Sequence, residues 1–445
     1  MASSATMLAV VLLVLAAAQP ARACYSRVFS FGDSLADTGN YRYVYGNDTG
    51  PRLPYGETFF HRATGRFSNG RIVVDFIGME QAFDLSTGQL CRHSVCANFG
   101  TCFFAVWVRH AAADALGLPF VRPYWSGRSS EDFAGGANFA VGAATALSPE
   151  VLWEHGFTAA RADLVHLDME MKWFRDLLHL LCPTDVAGSG IYAGQIPVSS
   201  LASAHKDASS DCVDMMNKSL FLVGEIGGND YNVPLTSLVP VEKIRSFAPS
   251  VISKISSIIT DLIGLGAKTL LVPGNLPIGC LPVYLTMYQS DDTGDYESDT
   301  GCIRWMNEFS RYHNKLLVDE LEKLRKLHPS VSIIYADYYG AAMEIFVSPS
   351  QFGIKNPLVA CCGVEGPYGV SITTKCGHGE YKVCDNPQKY ASWDGLHPTE
   401  TSYKAIADGL LRGPYTQPPI ATTKNSCSKL TELVSSVEYK VLYDL

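Results

Sequence analysis

The segment RVFSFGDSLADTGN, residues 27–40, joins an apolar run to a turn that carries a serine. Arg27 to Phe31 has the composition of a buried parallel strand, and Ser34 follows three residues after it. Ligands of parallel sheets bind beyond the carboxyl ends of the strands, so Ser34 is predicted to lie where chemistry takes place. A serine hydroxyl is a weak nucleophile by itself, and the rest of the chain must supply a base.

Alternating strands and helices predict an α/β fold with a parallel sheet covered on both faces. Val251 to Leu265 and Phe309 to Leu327 have apolar residues at helical spacing. A single domain is expected over residues 24–445, because no change of composition divides the chain. Three more apolar runs read as strands: Leu220 to Val223, Lys268 to Val272 and Val331 to Tyr335.

Two further motifs supply the groups that a serine nucleophile needs. In WDGLHP, residues 393–398, Asp394 lies three residues before His397 and can hold its imidazole in one tautomer. In GEIGGNDY, residues 224–231, Asn229 follows a strand and can donate its amide to an oxyanion. Each motif alone is common in turns, but the three in this order favour an acyl-transfer enzyme. Metal ligation is not expected, since no cysteine pairs have zinc-ligand spacing.

The chain resembles the plant GDSL esterase/lipase family of the SGNH hydrolases. The resemblance implies a flavodoxin-like three-layer sandwich, Ser34 as nucleophile, His397 and Asp394 as its partners, and no cofactor. Asn229 and the backbone amide of Ser34 are implied as oxyanion donors. The motifs that carry the resemblance are FSFGDSLADTGN, GRFSNGR at residues 65–71, GGANFAVGAATAL at 135–147, GEIGGNDY, LVPGNLPIGCLP at 271–282 and WDGLHPT.

The third oxyanion donor is the point at which this chain departs from the family. The family usually has glycine where this sequence has Ala143, and Gly142 lies one residue earlier. A backbone N–H survives a change from glycine to alanine, so the hole persists unless the position needs a positive φ. Gly142 is assigned here as the third donor.

The expected function is that of a secreted serine esterase acting on acyl or acetyl esters of plant metabolites, cell-wall polysaccharides or lipids. Two alternatives stay open: an acyltransferase that uses the same serine, and a catalytically silent binding protein on the same scaffold. A net charge of −9 argues against a nucleic-acid partner. Asp37 reads as a turn and helix cap rather than as a second catalytic acid.

Residues 1–23 predict a signal peptide, because an apolar run precedes the cleavage signal Ala21-Arg22-Ala23. The run is too short to span a bilayer, so no membrane span is expected after cleavage. Asn47 and Asn217 begin N-glycosylation sequons. Most of the thirteen cysteines should form disulfides in an extracellular or cell-wall location, the adjacent Cys361 and Cys362 with different partners.

Two stretches do not match the pattern of the rest of the chain. Residues 78–112 have no sustained periodicity and contain three cysteines, and their removal would join Ile77 to Ala113 in a continuous helical pattern. They are predicted to be an insertion. Residues 184–210 are rich in serine, alanine and glycine and predict a flexible loop.

Overall fold

Six of the ten strands within the described residues form the central sheet of the computed structural model. The sheet order is β10-β5-β4-β3-β1-β2, and two small sheets pair β6 with β9 and β7 with β8. The strands are β1 (Arg27–Phe31), β2 (Gly136–Asn138), β3 (Ser219–Val223), β4 (Thr269–Pro273), β5 (Ser332–Ala336), β6 (Asn356–Ala360), β7 (Cys362–Gly363), β8 (Lys382–Val383), β9 (Tyr390–Ser392) and β10 (Thr416–Gln417).

The described part of the chain covers residues 25–46, 48–77, 120–182, 210–371 and 373–420. The signal peptide, Asn47, the insertion at 78–112 and all but the last residue of the loop at 184–210 lie outside it. Those predictions, the single domain and glycosylation at the half-buried Asn217 stay predictions.

The strand order confirms the expected fold class. The five parallel strands run β2-β1-β3-β4-β5, which is the flavodoxin-like order, and β10 adds an antiparallel edge beside β5. The four strands predicted from the sequence match β1, β3, β4 and β5 to within one residue at each end. β2 and β10 were not predicted, because three and two residues are too few to show a period.

Helices cover both faces of the sheet. Phe29 and Phe31 of β1 point into one core with the long helices α3, α6 and α8, whereas Val28 points into the opposite core with α9 and α10. The helices are α1 (Asn40–Tyr45), α2 (Pro149–Glu154), α3 (Leu167–Leu181), α4 (Ser210–Asn217), α5 (Gly228–Thr236), α6 (Val241–Gly264), α7 (Pro282–Met287), α8 (Arg304–Leu327), α9 (Tyr338–Val347) and α10 (Glu400–Arg412).

Two helices begin earlier than their sequence patterns predict: α8 begins at Arg304 rather than Phe309, and α6 differs more. α6 starts ten residues before Val251 and includes Pro249, although a proline inside a helix destabilises it. Burial of Ile244 and Phe247 in the core outweighs that cost. By length and composition α6 would also cross a membrane, but nine of its residues are buried, as in a core helix.

The loops that follow β1 and β3 touch each other at the carboxyl edge of the sheet. The amide of Asp33 donates to the carbonyl oxygen of Glu225 at 3.0 Å. Gly32 has a φ of +137°, and a Cβ on it would lie 2.6 Å from the same carbonyl oxygen. Only glycine allows the two loops to approach so closely.

Four disulfides lie within the described residues, and they include both adjacent cysteines. Cys361 pairs with Cys384 and Cys362 with Cys376, as expected for different partners. The amides of Cys361 and Cys362 donate to the carbonyls of Ser392 and Trp393 at 3.1 and 2.6 Å. This braces the chain just before Asp394. The other two pairs are Cys182–Cys212 and Cys280–Cys302.

Several carboxyl groups are buried beneath the same edge of the sheet. Asp230 accepts hydrogen bonds from the amides of Ala146 and Leu147, yet burial outweighs them and raises its pKa to about 7. Burial likewise raises the pKa of Asp37 to about 6 and that of Glu170 well above its usual value. These groups hold their protons in the folded protein at pH values where they would lose them in the unfolded chain.

We expect the protein to melt at a higher temperature at pH 5 than at pH 8. A carboxyl with a pKa of about 4 in the unfolded chain and about 7 when folded binds more protons in the folded state between these values. The free energy of unfolding therefore falls as pH rises through that window. Asp230→Asn should reduce the difference in melting temperature between the two pH values, measured by circular dichroism.

The exposed Asp214, which pairs with Lys218 on the surface, provides the matched control. Asp214→Asn should leave the difference unchanged. A difference as large in Asp230→Asn as in the parent protein would contradict the assignment.

Candidate active site

Ser34 lies in the turn after β1, where the order of the parallel strands reverses. The amides of Ala36 and Asp37 donate to the carbonyl of Asp33 at 3.1 and 2.9 Å and close the turn. β1 lies between β2 and β3, so its carboxyl end is the switch point at which flavodoxin-like sheets bind ligands. The turn presents the Ser34 side chain at that point, and it is 7% exposed.

The structure brings Ser34 and His397 together from opposite ends of the chain. Ser34 Oγ lies 2.8 Å from His397 Nε2, and His397 Nδ1 lies 2.7 Å from Asp394 Oδ2. The side chains of His397 and Asp394 are 8% and 9% exposed. Two short hydrogen bonds in series, shielded from water, are the arrangement in which an imidazole takes a proton from a serine.

The loop of residues 393–398 holds Asp394 as a carboxylate. The amide of Trp393 donates to the carbonyl of His397 at 2.7 Å, and Asp394 Oδ1 accepts from the amides of Leu396 and His397 at 3.0 and 2.8 Å. Burial alone would raise the pKa of Asp394. The charge and hydrogen bonds of His397 and the two amides outweigh burial and hold that pKa below its ordinary value.

Asn229 stands beside the serine turn, at the start of α5. Its Nδ2 donates to Asp33 Oδ2 at 3.2 Å and to the carbonyl of Ala144 at 3.0 Å. Its Oδ1 accepts from Asn232 Nδ2 at 3.0 Å, which fixes the amide plane. The predicted oxyanion donor therefore lies next to the turn that carries Ser34.

The assignment of Gly142 to the oxyanion hole does not fit the structure. Its amide donates to the buried Asp37 Oδ2 at 2.8 Å, so its one N–H is already used. A Cβ on Gly142 would lie 2.5 Å from the ring of Phe67, and this close contact explains the glycine. The next residue, Ala143, has a φ of +68°, the conformation that the family's glycine adopts without strain.

Asp37 is a cap, as its sequence context predicts. Its Oδ1 accepts from the amides of Gly39 and Asn40 at 2.6 and 2.7 Å, and its Oδ2 accepts from Tyr41 at 3.0 Å. The same carboxyl also anchors Gly142, so it joins the start of α1 to the loop after β2.

Two aromatic side chains of the site were not predicted from the sequence. The Phe67 ring lies against the His397 imidazole, with ring centroids 4.8 Å apart. The Tyr55 hydroxyl donates to Asp394 Oδ2 at 2.8 Å. Neither residue lies in a pattern that indicates chemistry, although Phe67 belongs to the GRFSNGR motif.

A pair of buried acids lies beneath the serine turn. Burial, partly offset by the amide of Leu35 and the charge of His397, raises the pKa of Asp33 to about 7. Burial and the neighbouring Asp33 raise the pKa of Glu225 well above its usual value. Glu225 Oε2 has no hydrogen-bond partner within the described residues. A neutral Glu225 avoids two charged carboxylates side by side.

The chemistry of the site is that of proton transfer and nucleophilic attack. It combines a serine, an imidazole base, a carboxylate that orients the base and an amide donor. Within the residues that the structure describes, no three His, Cys, Asp or Glu side chains are grouped to hold a metal ion.

Known proteins are similar to this chain over most of its length. The family model described as GDSL-like Lipase/Acylhydrolase matches residues 28–410. A GDSL esterase/lipase of Arabidopsis thaliana is 42% identical over 399 residues, which cover 89% of this chain and 86% of the relative. A sinapine esterase of Brassica napus is 38% identical over 410 residues, covering 91% of this chain and 90% of the relative. The chain therefore belongs to the GDSL lipase/acylhydrolase family and is a carboxylic ester hydrolase.

Proposed function

We propose that the protein is a secreted serine esterase that works through an acyl-enzyme on Ser34. The observation that carries this proposal is the pair of hydrogen bonds from Ser34 Oγ to His397 Nε2 at 2.8 Å and from His397 Nδ1 to Asp394 Oδ2 at 2.7 Å. This geometry supports His397 as general base and Asp394 as the group that holds its tautomer.

The reaction proceeds in two halves. Ser34 Oγ bonds to the ester carbonyl carbon as His397 Nε2 takes its proton, and the carbonyl oxygen becomes an oxyanion. The C–O bond to the alcohol then breaks, and His397 gives that proton to the departing oxygen. A water molecule attacks the acyl-enzyme in the same way, which releases the carboxylic acid and restores Ser34.

The oxyanion is bound by Asn229 Nδ2 and by the amides of Ser34 and Ala143. Within the described residues neither amide donates to another group, in contrast to the amide of Gly142. Both Nδ2 hydrogens of Asn229 have acceptors, and the bond to Asp33 at 3.2 Å is the longer. We expect Asn229 to break this hydrogen bond and donate the same N–H to the oxyanion instead.

The apolar surroundings of His397 favour an ester with an apolar part. An apolar cleft reaches His397 from between α9, α10 and the segment after β4, and its lining includes Leu276, Leu281, Ile345 and Phe346. The similarity to a sinapine esterase supports sinapine as a first candidate to test, beside acetylated sugars and lipids.

The protein acts outside the cell or in the cell wall. The four disulfides among the described residues support an oxidising compartment, together with the signal-peptide pattern of residues 1–23.

Covalent labelling tests the nucleophile. The protein should react with a fluorophosphonate probe and hydrolyse members of a panel of sinapine, acetyl-sugar and short- and long-chain acyl esters, and Ser34→Ala should lose both properties. The exposed Ser130, on a surface loop, serves as control: Ser130→Ala should retain both. Hydrolysis by a folded Ser34→Ala variant would refute the proposal.

Removal of the amide donor tests the oxyanion hole. Asn229→Ala should lower kcat by about a hundredfold or more, because the donor acts on charge that develops in the transition state. The loss should appear in kcat rather than in KM. Near-normal kcat in a variant that melts within a few degrees of the parent would argue against the role of Asn229.

The backbone of Ala143 gives a separate test. Ala143→Gly keeps the N–H and removes the strain of a positive φ, so it should raise the free energy of unfolding by up to about 1 kcal/mol with kcat retained. Ala144→Gly is the matched control, because Ala144 is fully buried and has no positive φ. It should instead destabilise the protein in denaturant titrations. Destabilisation by both changes would contradict the analysis.

A further inference from the structure

Tyr55 lies in a turn whose position is set by tight backbone contacts. Its amide donates to the carbonyl of Arg52 at 2.9 Å, and the amide of Gly56 donates to the carbonyl of Ser68 at 2.9 Å. Gly56 has a φ of +80°, and a Cβ there would lie 2.2 Å from the carbonyl oxygen of Arg62. The turn is thus fastened to the segment that also carries Phe67.

The Tyr55 ring is held on two sides by aromatic residues of the site. It meets Phe67 and Trp393 edge to face, with ring centroids 6.4 and 6.0 Å apart. Tyr55 is 7% exposed and belongs to a small core with Trp393 and the Cys362–Cys376 disulfide. Its side chain is therefore fixed before any substrate arrives.

The hydroxyl of this fixed ring completes the hydrogen bonding of Asp394. Oδ1 accepts from two amides of its own loop, and Oδ2 accepts from His397 Nδ1 at 2.7 Å and from the Tyr55 hydroxyl at 2.8 Å. Among the described residues, Tyr55 is the one donor to Asp394 from outside the loop of residues 393–398.

We propose that Tyr55 is a positioning residue for ester hydrolysis: its hydroxyl locks the Asp394 carboxylate in the orientation that keeps His397 Nε2 on Ser34. The proposal rests on the roles given above to Ser34, His397 and Asp394. Without Tyr55 only His397 would hold Oδ2, and every remaining restraint on the carboxylate would come from its own loop. A carboxylate fixed from a separate part of the chain gives the imidazole one orientation.

The Tyr55 hydroxyl also affects the charge of the site. Burial and the neighbouring Asp394 raise the pKa of Tyr55 well above 10, so it remains a donor over the working range of pH. A donor to a carboxylate stabilises its charged form, so its loss raises the pKa of Asp394. The coupled pair of Asp394 and His397 then binds its protons more tightly. Within the described residues, the other titratable groups that face this pair are Asp33, beside His397, and Tyr403 of α10, beside Asp394.

Tyr55→Phe tests the proposal, since it keeps the ring contacts and removes only the hydroxyl. We expect kcat to fall about tenfold, the size of effect that a hydrogen bond to a charged group allows. KM should change by less than about twofold, and the midpoint of the acid limb of the kcat–pH profile should move to higher pH.

Tyr415→Phe is the matched control. The Tyr415 hydroxyl also donates to a carboxylate, Glu344 Oε1 at 2.8 Å, but neither residue takes part in the site. Its loss should leave kcat and the pH profile unchanged. Circular dichroism and the melting temperature of both variants separate loss of fold from loss of rate.

A double-mutant cycle separates positioning from general support of the fold. If Tyr55 acts through Asp394, the effect of Tyr55→Phe on kcat should largely vanish in an Asp394→Asn background. An unchanged kcat and acid limb in folded Tyr55→Phe would overturn the proposal. An equal loss of rate in both backgrounds would also overturn it, because Tyr55 would then act independently of Asp394.

The outcome for Ser34 distinguishes this proposal from the one on which it rests. If Ser34→Ala abolishes hydrolysis and Tyr55→Phe has no effect, only the role of Tyr55 is refuted. If Ser34→Ala retains hydrolysis, the proposed nucleophile fails and the role of Tyr55 fails with it.

Discussion

The contact between the loops after β1 and β3 is the constraint on which the site depends. The amide of Asp33 donates to the carbonyl of Glu225 at 3.0 Å, and Gly32 leaves no room for a side chain at the crossing. Because the two loops touch there, Asn229 reaches Asp33, the residue before Ser34, although 196 residues separate them in sequence. The strand order makes this possible, since β1 and β3 are neighbours at the switch point.

His397, the proposed base, reaches this crossing from the other end of the chain, on a loop that is held from several sides. Hydrogen bonds from Cys361 and Cys362 attach the disulfide-linked segment to the strand before Asp394. The Phe67 ring lies against the imidazole of His397, and Tyr55 donates to the same Asp394 oxygen that His397 contacts. The loop therefore presents His397 to Ser34 in one orientation, which is the condition for efficient proton transfer.

The buried carboxyl groups show what this arrangement demands of the fold. Asp37 and Asp230 use their oxygens to hold the backbone of the loop after β2, Asp37 through Gly142 and Asp230 through Ala146 and Leu147. Their pKa values rise because burial disfavours the charged form. Loops that must approach closely have few other ways to satisfy backbone amides away from water.

The amino-acid sequence alone determined the central strands, the fold class and the identity of the four side chains expected at the site. Apolar runs of five residues show their strands directly, and the Asp394–His397 spacing is local. Only the tertiary structure decided which groups contact Asp394, that the amide of Gly142 donates to Asp37, and that Ala143 has a positive φ. The physical reason is that these features arise where loops from distant parts of the chain meet, and no local pattern records such a meeting. Tyr55 lies 339 residues from Asp394, and only the packed protein brings them together.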